Sequence, residues 1–220
     1  MNRLAVLAVI GVVAGANAQV ITQSATQNIV SGNSVSCNNQ VAHTDNWYAR
    51  GFVLSEHSIA GPWAVSQVEF AVEEARSVNS TLPVEVRLYD GFTVSGSVLT
   101  MGSLMGTFAT NVPVGSAYFH QVAVSGTVNS GLLGVEIFTP DGTTNSDLMW
   151  IGSNPDGQTH ASYLRADDCG ITSLTDIAAI GFPGMHIVMN VTGAPVPEPA
   201  SMLALATGAI ALIRRRRSSK

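Results

Sequence analysis

Lysine is almost missing from this 220-residue chain: Lys220 is the only one, and nine arginines supply the rest of the fixed positive charge. Between Gln19 and Val196 there are four arginines, no lysine and fourteen aspartates plus glutamates. The net charge of that segment is therefore −10, concealed under the −5 of the whole chain. Such a surface repels phosphate backbones, which excludes nucleic acid as a partner. It is compatible with cations, with solubility outside the cell, or with neutral sugars. Cysteine is equally scarce. Neither Cys37 nor Cys169 has a second cysteine or a histidine nearby at zinc-ligand spacing, which argues against zinc. Long amphipathic helices and internal repeats are absent from the pattern. So are Gly-x-Ser-x-Gly, His-Glu-x-x-His, Gly-x-Gly-x-x-Gly and the P-loop pattern, though missing motifs do not by themselves exclude an enzyme.

What is present begins with the leader. Met1, Asn2 and Arg3 precede an apolar run from Leu4 to Val13 and the small residues Ala14 to Ala18. The run is short for a bilayer span, it has no polar face at helical spacing, and Ala16-Asn17-Ala18 offers the side chains a signal peptidase accepts. Residues 1–18 are expected to be a signal peptide cleaved before Gln19.

At the other end Pro195, Pro197, Glu198 and Pro199 are expected to break regular structure and keep the linker free of backbone pairing. An apolar run from Ala200 to Ile213 follows, and then Arg214, Arg215, Arg216 and Arg217. Fourteen helical residues at about 1.5 Å each reach about 21 Å, short of the roughly 30 Å hydrocarbon core, so snorkelling arginines and local thinning would make up the difference. The four arginines stay on the cytoplasmic side, which places everything before Pro195 outside. A lipid-anchor signal of the GPI type ends in its hydrophobic tail, unlike this chain.

The order Pro197-Glu198-Pro199, short transmembrane stretch, basic cluster, on a chain with a signal peptide, resembles the PEP-CTERM sorting signal. The resemblance covers residues 194–220. It implies processing by an exosortase, a membrane-embedded transpeptidase-like enzyme that cuts near the motif and releases or transfers the ectodomain, in Gram-negative bacteria that make exopolysaccharide. The chain would be exported, transiently membrane-anchored, and then surface-bound or extracellular.

Residues 19–193 form an all-β ectodomain by pattern. Apolar residues alternate in Val68-Phe70-Val72, Val84-Val86-Leu88, Tyr118-His120-Val122-Val124, Leu133-Val135-Ile137 and Met185-Ile187-Met189-Val191, which places each set on one face of a strand. Further strands are expected near Trp47 to Leu54, Leu148 to Ile151 and Ala161 to Leu164. Asp90-Gly91, Pro140-Asp141-Gly142 and Pro155-Asp156-Gly157 supply turn chemistry between strands. Ser66 to Ala75 predicts a strand running into a turn, and Asp176 to Ile180 a single helical turn. Eight or nine short strands predict a two-sheet β-sandwich of jelly-roll type, by analogy with folds of that strand spacing. Export makes a Cys37–Cys169 disulfide the expected state, joining the first and last strands, with two separate buried thiols as the alternative.

Candidate site residues are few. Asp141, Asp147 and Asp156 lie in oxygen-rich turns suited to Ca2+, or serve as plain turn residues. Trp47, Trp63 and Trp150, with Tyr48, offer faces for stacking on sugar rings, or fill the core. The histidines His43, His57, His120, His160 and His186 are scattered; His43 with Asp45, and His160, would have to meet in space to act together. Asp167-Asp168 are adjacent, so on a strand they point to opposite faces and make a poor glycosidase pair. The expectation is a non-enzymatic surface or matrix protein with a structural or polysaccharide-associated role. The alternative is a secreted hydrolase or lyase acting on polysaccharide.

Overall fold

Alternating apolar residues become paired strands over most of residues 17–197, the part of the chain that the computed structural model describes. Thirteen strands follow in order: β1 (Gln19–Thr22), β2 (Asn46–Val53), β3 (Trp63–Arg76), β4 (Thr81–Ser95), β5 (Val98–Pro113), β6 (Gly115–Val128), β7 (Leu132–Thr139), β8 (Leu148–Ile151), β9 (Ser153–Asn154), β10 (Tyr163–Ala166), β11 (Ile171–Asp176), β12 (His186–Ile187) and β13 (Met189–Pro195). Short 3-10 helices occupy Leu54–His57 and Asp167–Cys169. All the pairings between these strands are antiparallel.

One sheet runs β1-β13-β3-β6, with β8 also on β3. The second, β10-β11-β5-β4-β7-β2, closes on itself, and β9 pairs with β12 alone. The main core lies where the two large sheets face one another. From the first sheet it takes Val65, Val68, Phe70, Val72, Val122, Met189 and Val191; from the second, Tyr48, Phe52, Val84, Val86, Leu88, Val135 and Ile137. Apart from Val65, which lies across a register shift in β3, each set follows the period-two rule, so the alternation read in the sequence is the burial pattern itself. The all-β expectation and the packing of two sheets hold, with the difference that one sheet closes.

Closure follows from the long β4–β5 hairpin. Leu88 pairs with Gly106 but Tyr89 with Leu104, so Met105 is an extra, bulged residue that bends the ribbon. The distal end then curls over the far face of β2 and β7 and meets β11 through Val98 and Leu99. Two glycines make room for it. A Cβ on Gly51 would lie 2.9 Å from the Phe92 ring, and one on Gly134 would lie 2.6 Å from the Met101 sulfur. A second, smaller apolar cluster of Ala49, Leu99, Tyr163 and Leu174 forms on this far face, with Trp47, Phe92 and Met101 against it. β2 is consequently buried on both faces.

The long connection from Gln23 to Asp45 has little strand and few large apolar residues, and polar side chains hold it in place. Gln23 donates to the Gly51 carbonyl, Ser24 to the Ile187 carbonyl and Asn33 to the Gly184 carbonyl. Glu73 accepts from the amides of Gly32 and Ser34. A loop of this length without such partners would be an entropic burden; the run of Gln, Asn and Ser supplies them.

Several expectations change. The Cys37–Cys169 disulfide is formed, 132 residues apart in sequence. It does not join the first and last strands: Cys37 lies in the β1–β2 connection and Cys169 ends the 3-10 helix after β10, while β1 and β13 pair with each other. Closing so long a loop stabilises the fold by about 4 to 5 kcal/mol in the chain-entropy model. Asp90 and Gly91 are not a turn between strands but lie inside β4, and the reversal occurs at Gly96-Ser97. Asp167 and Asp168 sit in a 3-10 helix instead of a strand. Ser66 to Ala75 contains no turn; β3 continues to Arg76 because β6 and β8 both pair with its second half. β10 begins at Tyr163, two residues later than Ala161. Residues 176–181 close by hydrogen bonds from Ala179 N to Asp176 O and from Gly181 N to Ala178 O.

Pro195 is not free of pairing. It is the last residue of β13, opposite Trp63, a terminal position where a proline that lacks an N–H does no harm to the ladder. Val196 N then donates to Pro62 O at 2.9 Å. Gln19 stands opposite Gly193, so both ends of the fold lie on neighbouring strands. Ala18–Val196 form one compact unit that holds every described strand, both apolar clusters and the disulfide, which is what independent folding requires.

Candidate functional site

The densest group of charged and aromatic side chains crosses the far face of the closed sheet. Strand register sets it up: Arg165 of β10 stands opposite Trp47 of β2, Trp47 opposite Phe138 of β7, and Phe138 opposite Glu85 of β4. The Arg165 guanidinium lies 4.4 Å from the Trp47 ring centroid, Trp47 stacks on Phe138 at 4.8 Å, and the Arg87 guanidinium lies 4.4 Å from the Phe138 ring. Two stacked rings are thus capped at each end by a guanidinium, across four strands. The charges are closed locally: Arg165 with Asp167 at 2.5 Å, Arg87 with Glu85 at 2.6 Å and with Glu136 at 3.1 Å. Burial raises the Glu136 carboxyl above its usual range, against the pull of Arg87. Glu85 and Glu136 converge on one arginine instead of facing each other across an open cleft, and Trp47 is covered by Phe138 and Arg165. Chemically the group is a cross-strand clamp.

The other two tryptophans lie elsewhere. Trp63 is fully buried in the main core and offers no face to a ligand. Trp150 carries Arg76 at 5.4 Å from its ring centroid. The structure therefore does not bring Trp47, Trp63 and Trp150 into one platform, and Tyr48 is buried in the core with its hydroxyl donating to Val35 O.

Arg50 is the residue that sequence reasoning missed. It is fully buried, with no carboxylate beside it. Its Nε donates to Gln23 Oε1 at 2.9 Å, Nη1 to Ile187 O, and Nη2 to Gln158 Oε1 at 3.0 Å and His160 O at 2.8 Å. Burial lowers its pKa from 12.5 to about 9, so it stays charged at neutral pH on neutral acceptors alone. The signal was available: Arg50 shares parity with Tyr48 and Phe52, the inward residues of β2. With Arg50 buried and Arg76, Arg87 and Arg165 each ion-paired, every arginine of the Gln19–Val196 segment is engaged.

The aspartate-rich turns are pinned by residues of the β1–β2 connection. His43 is buried; its Nε2 donates to Pro140 O at 2.9 Å and its Nδ1 accepts from Met149 N at 3.1 Å. Burial lowers its pKa, outweighing the Pro140 carbonyl and the charge of Asp147. Gly142 N donates to His43 O, and His43 N to Asp147 O. Asp141 N donates to Asp45 while its carboxylate accepts from Thr143 N. Asp147 is buried with Oδ1 unpartnered, and Asp156, in a separate turn, accepts from Thr26 and Asn28. Among the described residues no three His, Cys, Asp or Glu side chains are gathered closely enough to hold a metal. His160 bonds Glu56 at 2.6 Å and shares no hydrogen bond with His43. His120 bonds Thr110, and His186 lies between Gly157 N and Pro183 O.

Residues 1–16 of the leader, Glu198, Pro199, the apolar run and Arg214 to Arg217 lie outside the described residues; within the described ones no helix is long and apolar enough to cross a membrane. Comparison with known families assigns the tail. A family model described as the PEP-CTERM protein-sorting motif matches residues 195–217. No curated protein and no solved structure matches the chain. The motif indicates an exported protein that an exosortase-type system processes.

Proposed function

We propose that residues 19–196 are the cargo of this sorting signal: a non-enzymatic cell-surface or extracellular-matrix domain with a structural or polysaccharide-associated role. The observation that carries the proposal is where the fold stops. Among the described residues the last ladder residue is Pro195 and the last backbone bond is that of Val196, so a cut at Pro197-Glu198-Pro199 falls after the last described strand and leaves every described ladder intact. The engaged state of all four arginines supports neutral sugars or protein over anionic polymers as neighbours. Translocation proceeds from the signal peptide until Ala200 to Ile213 enters the bilayer, where each arginine of Arg214 to Arg217 resists crossing by at least about 2.5 to 3.5 kcal/mol. The domain is then held outside until it is cut.

The test is C-terminal peptide analysis of protein recovered from the native surface. The expected product ends near Pro197-Glu198-Pro199, and replacing those three residues with alanine leaves an uncut, membrane-bound form. Intact chains ending in Lys220, in a host that processes its other tagged proteins, would falsify the assignment.

A further inference from the structure

We propose that the free edge of β6 is a self-association surface, on which the exported domain pairs strand to strand with a second copy of itself. This goes beyond sorting and is independent of it.

β6 is the terminal strand of the first sheet, and among the described residues β3 is its only ladder partner. Half of its backbone N–H and C=O groups therefore point away from the sheet. Proteins usually blunt such edges with lysine, proline, inward charges or bulges. Here the whole stretch from Val98 to Val128, covering β5 and β6, contains no Asp, Glu, Lys or Arg. The strands beside it do carry charge: Glu69, Glu73, Glu74 and Arg76 in β3, Glu85, Arg87 and Asp90 in β4.

The usable window is short and well defined. Ala117, at φ +54°, kinks the strand on one side, and the register with β3 slips between Val65 and Gln67 on the other. Between them Tyr118, Phe119, His120, Gln121, Val122 and Ala123 run in unbroken register against Val72 to Gln67. Six residues without proline, glycine or fixed charge, rich in aromatic and β-branched side chains, are the composition that pairs with its own kind. Gln121 and Ala123 are exposed and Phe119 is half-buried. The other edge of the same sheet, β1, has only four residues.

Charge selects a second copy as the occupant. A basic partner would be drawn to the carboxylates, and none lies on this edge. Two copies of a domain of net charge −10 repel each other in general, and the uncharged edge is where that repulsion is least. Antiparallel pairing about a two-fold axis at Gln121 sets Phe119 of one copy opposite Ala123 of the other, consumes both free edges and closes at a dimer.

The experiment is sedimentation equilibrium of residues 19–196 at low and high salt. The expected result is a monomer–dimer equilibrium that tightens as salt screens the like charges, the reverse of an ion-paired interface. Phe119→Lys with Ala123→Lys should raise the dimer Kd at least about tenfold through like charges facing across the two-fold axis, whereas Val20→Lys on β1 should leave it unchanged. Hydrogen exchange on the unsubstituted domain gives a readout independent of how the variant folds: protection of amides within Tyr118–Ala123 should rise with protein concentration. A monomer at every concentration and salt, a dimer indifferent to the lysine pair, or protection gained elsewhere would overturn the proposal. None of these outcomes touches the cleavage assay.

Discussion

Around Arg50, segments far apart in sequence meet through polar contacts: Gln23, Gln158, His160 and Ile187 all accept from one guanidinium. Along the rim where β5 and β6 face each other, the β4–β5 hairpin on one side, the β3–β6 ladder on the other and the Thr110–His120 hydrogen bond replace that network. The two regions solve different problems. Near Arg50 the chain must fix a long connection poor in apolar residues, so it spends buried donors and acceptors on it. At the rim backbone ladders suffice, and the edge of β6 stays open. A side of the domain that is tied internally is poorly suited to partners; a side that is not tied has its backbone groups available.

The comparison breaks most visibly at Arg50. Arg50→Leu should destabilise the domain by about 3 kcal/mol, since Gln23 Oε1 and the His160 carbonyl lose their donor, and Ile187 O and Gln158 Oε1 keep only the Ser24 and Ser162 hydroxyls, while apolar volume is largely kept. Urea denaturation midpoints at constant slope measure it. A loss below roughly 1 kcal/mol would mean that water reaches those acceptors and the region is not the tie that the geometry describes.

A smaller effect tests the polar anchoring of the long β1–β2 connection by pH. The His43 pKa is depressed in the fold, so the unfolded chain binds the proton first, and the contribution of neutral His43 is complete above about pH 6.5 and lost as pH falls from there toward the folded value. Protonation would also set Nδ1–H against the Met149 amide, donor against donor. Thermal midpoints should therefore fall between pH 7 and about 5, and His43→Gln should flatten that slope, whatever its effect at neutral pH. An unchanged slope in the variant would assign the acid sensitivity to other groups.

The smallest effect sharpens the rim. Ala117 holds a left-handed φ of +54° at the start of the pairing window. Ala117→Gly should stabilise the domain by about 0.5 kcal/mol, the relief of that conformation less the added freedom of the unfolded chain. A loss of stability instead would show that the alanine methyl packs usefully at the kink.

Legibility in the sequence divided along the same line. The inward faces of β3, β4, β7 and β13 were readable because one face is core and the other solvent, which forces period two. β5 was not read at all, although it has sixteen residues. Its sequence, with Gly102, Gly106, Ser103 and Thr107 among Leu104, Met105 and Phe108, serves a half-exposed, bulged ribbon, and neither face is uniform enough to alternate. Of the candidate residues, the cysteines were paired correctly from compartment and count. The tryptophans were dispersed by register that no local pattern encodes, and Asp90-Gly91 looked like a turn because glycine at a bend inside a strand has the same composition as glycine between strands.

The sorting tail and the all-β class were determined by sequence alone, because composition, order and period along a short stretch are sufficient for both. Sheet closure, the neutral contacts around Arg50 and the bare edge of β6 were decided only in the tertiary structure. Each depends on which distant strand arrives beside a residue, and the alternation of a single strand states only which way a side chain points, not what it meets.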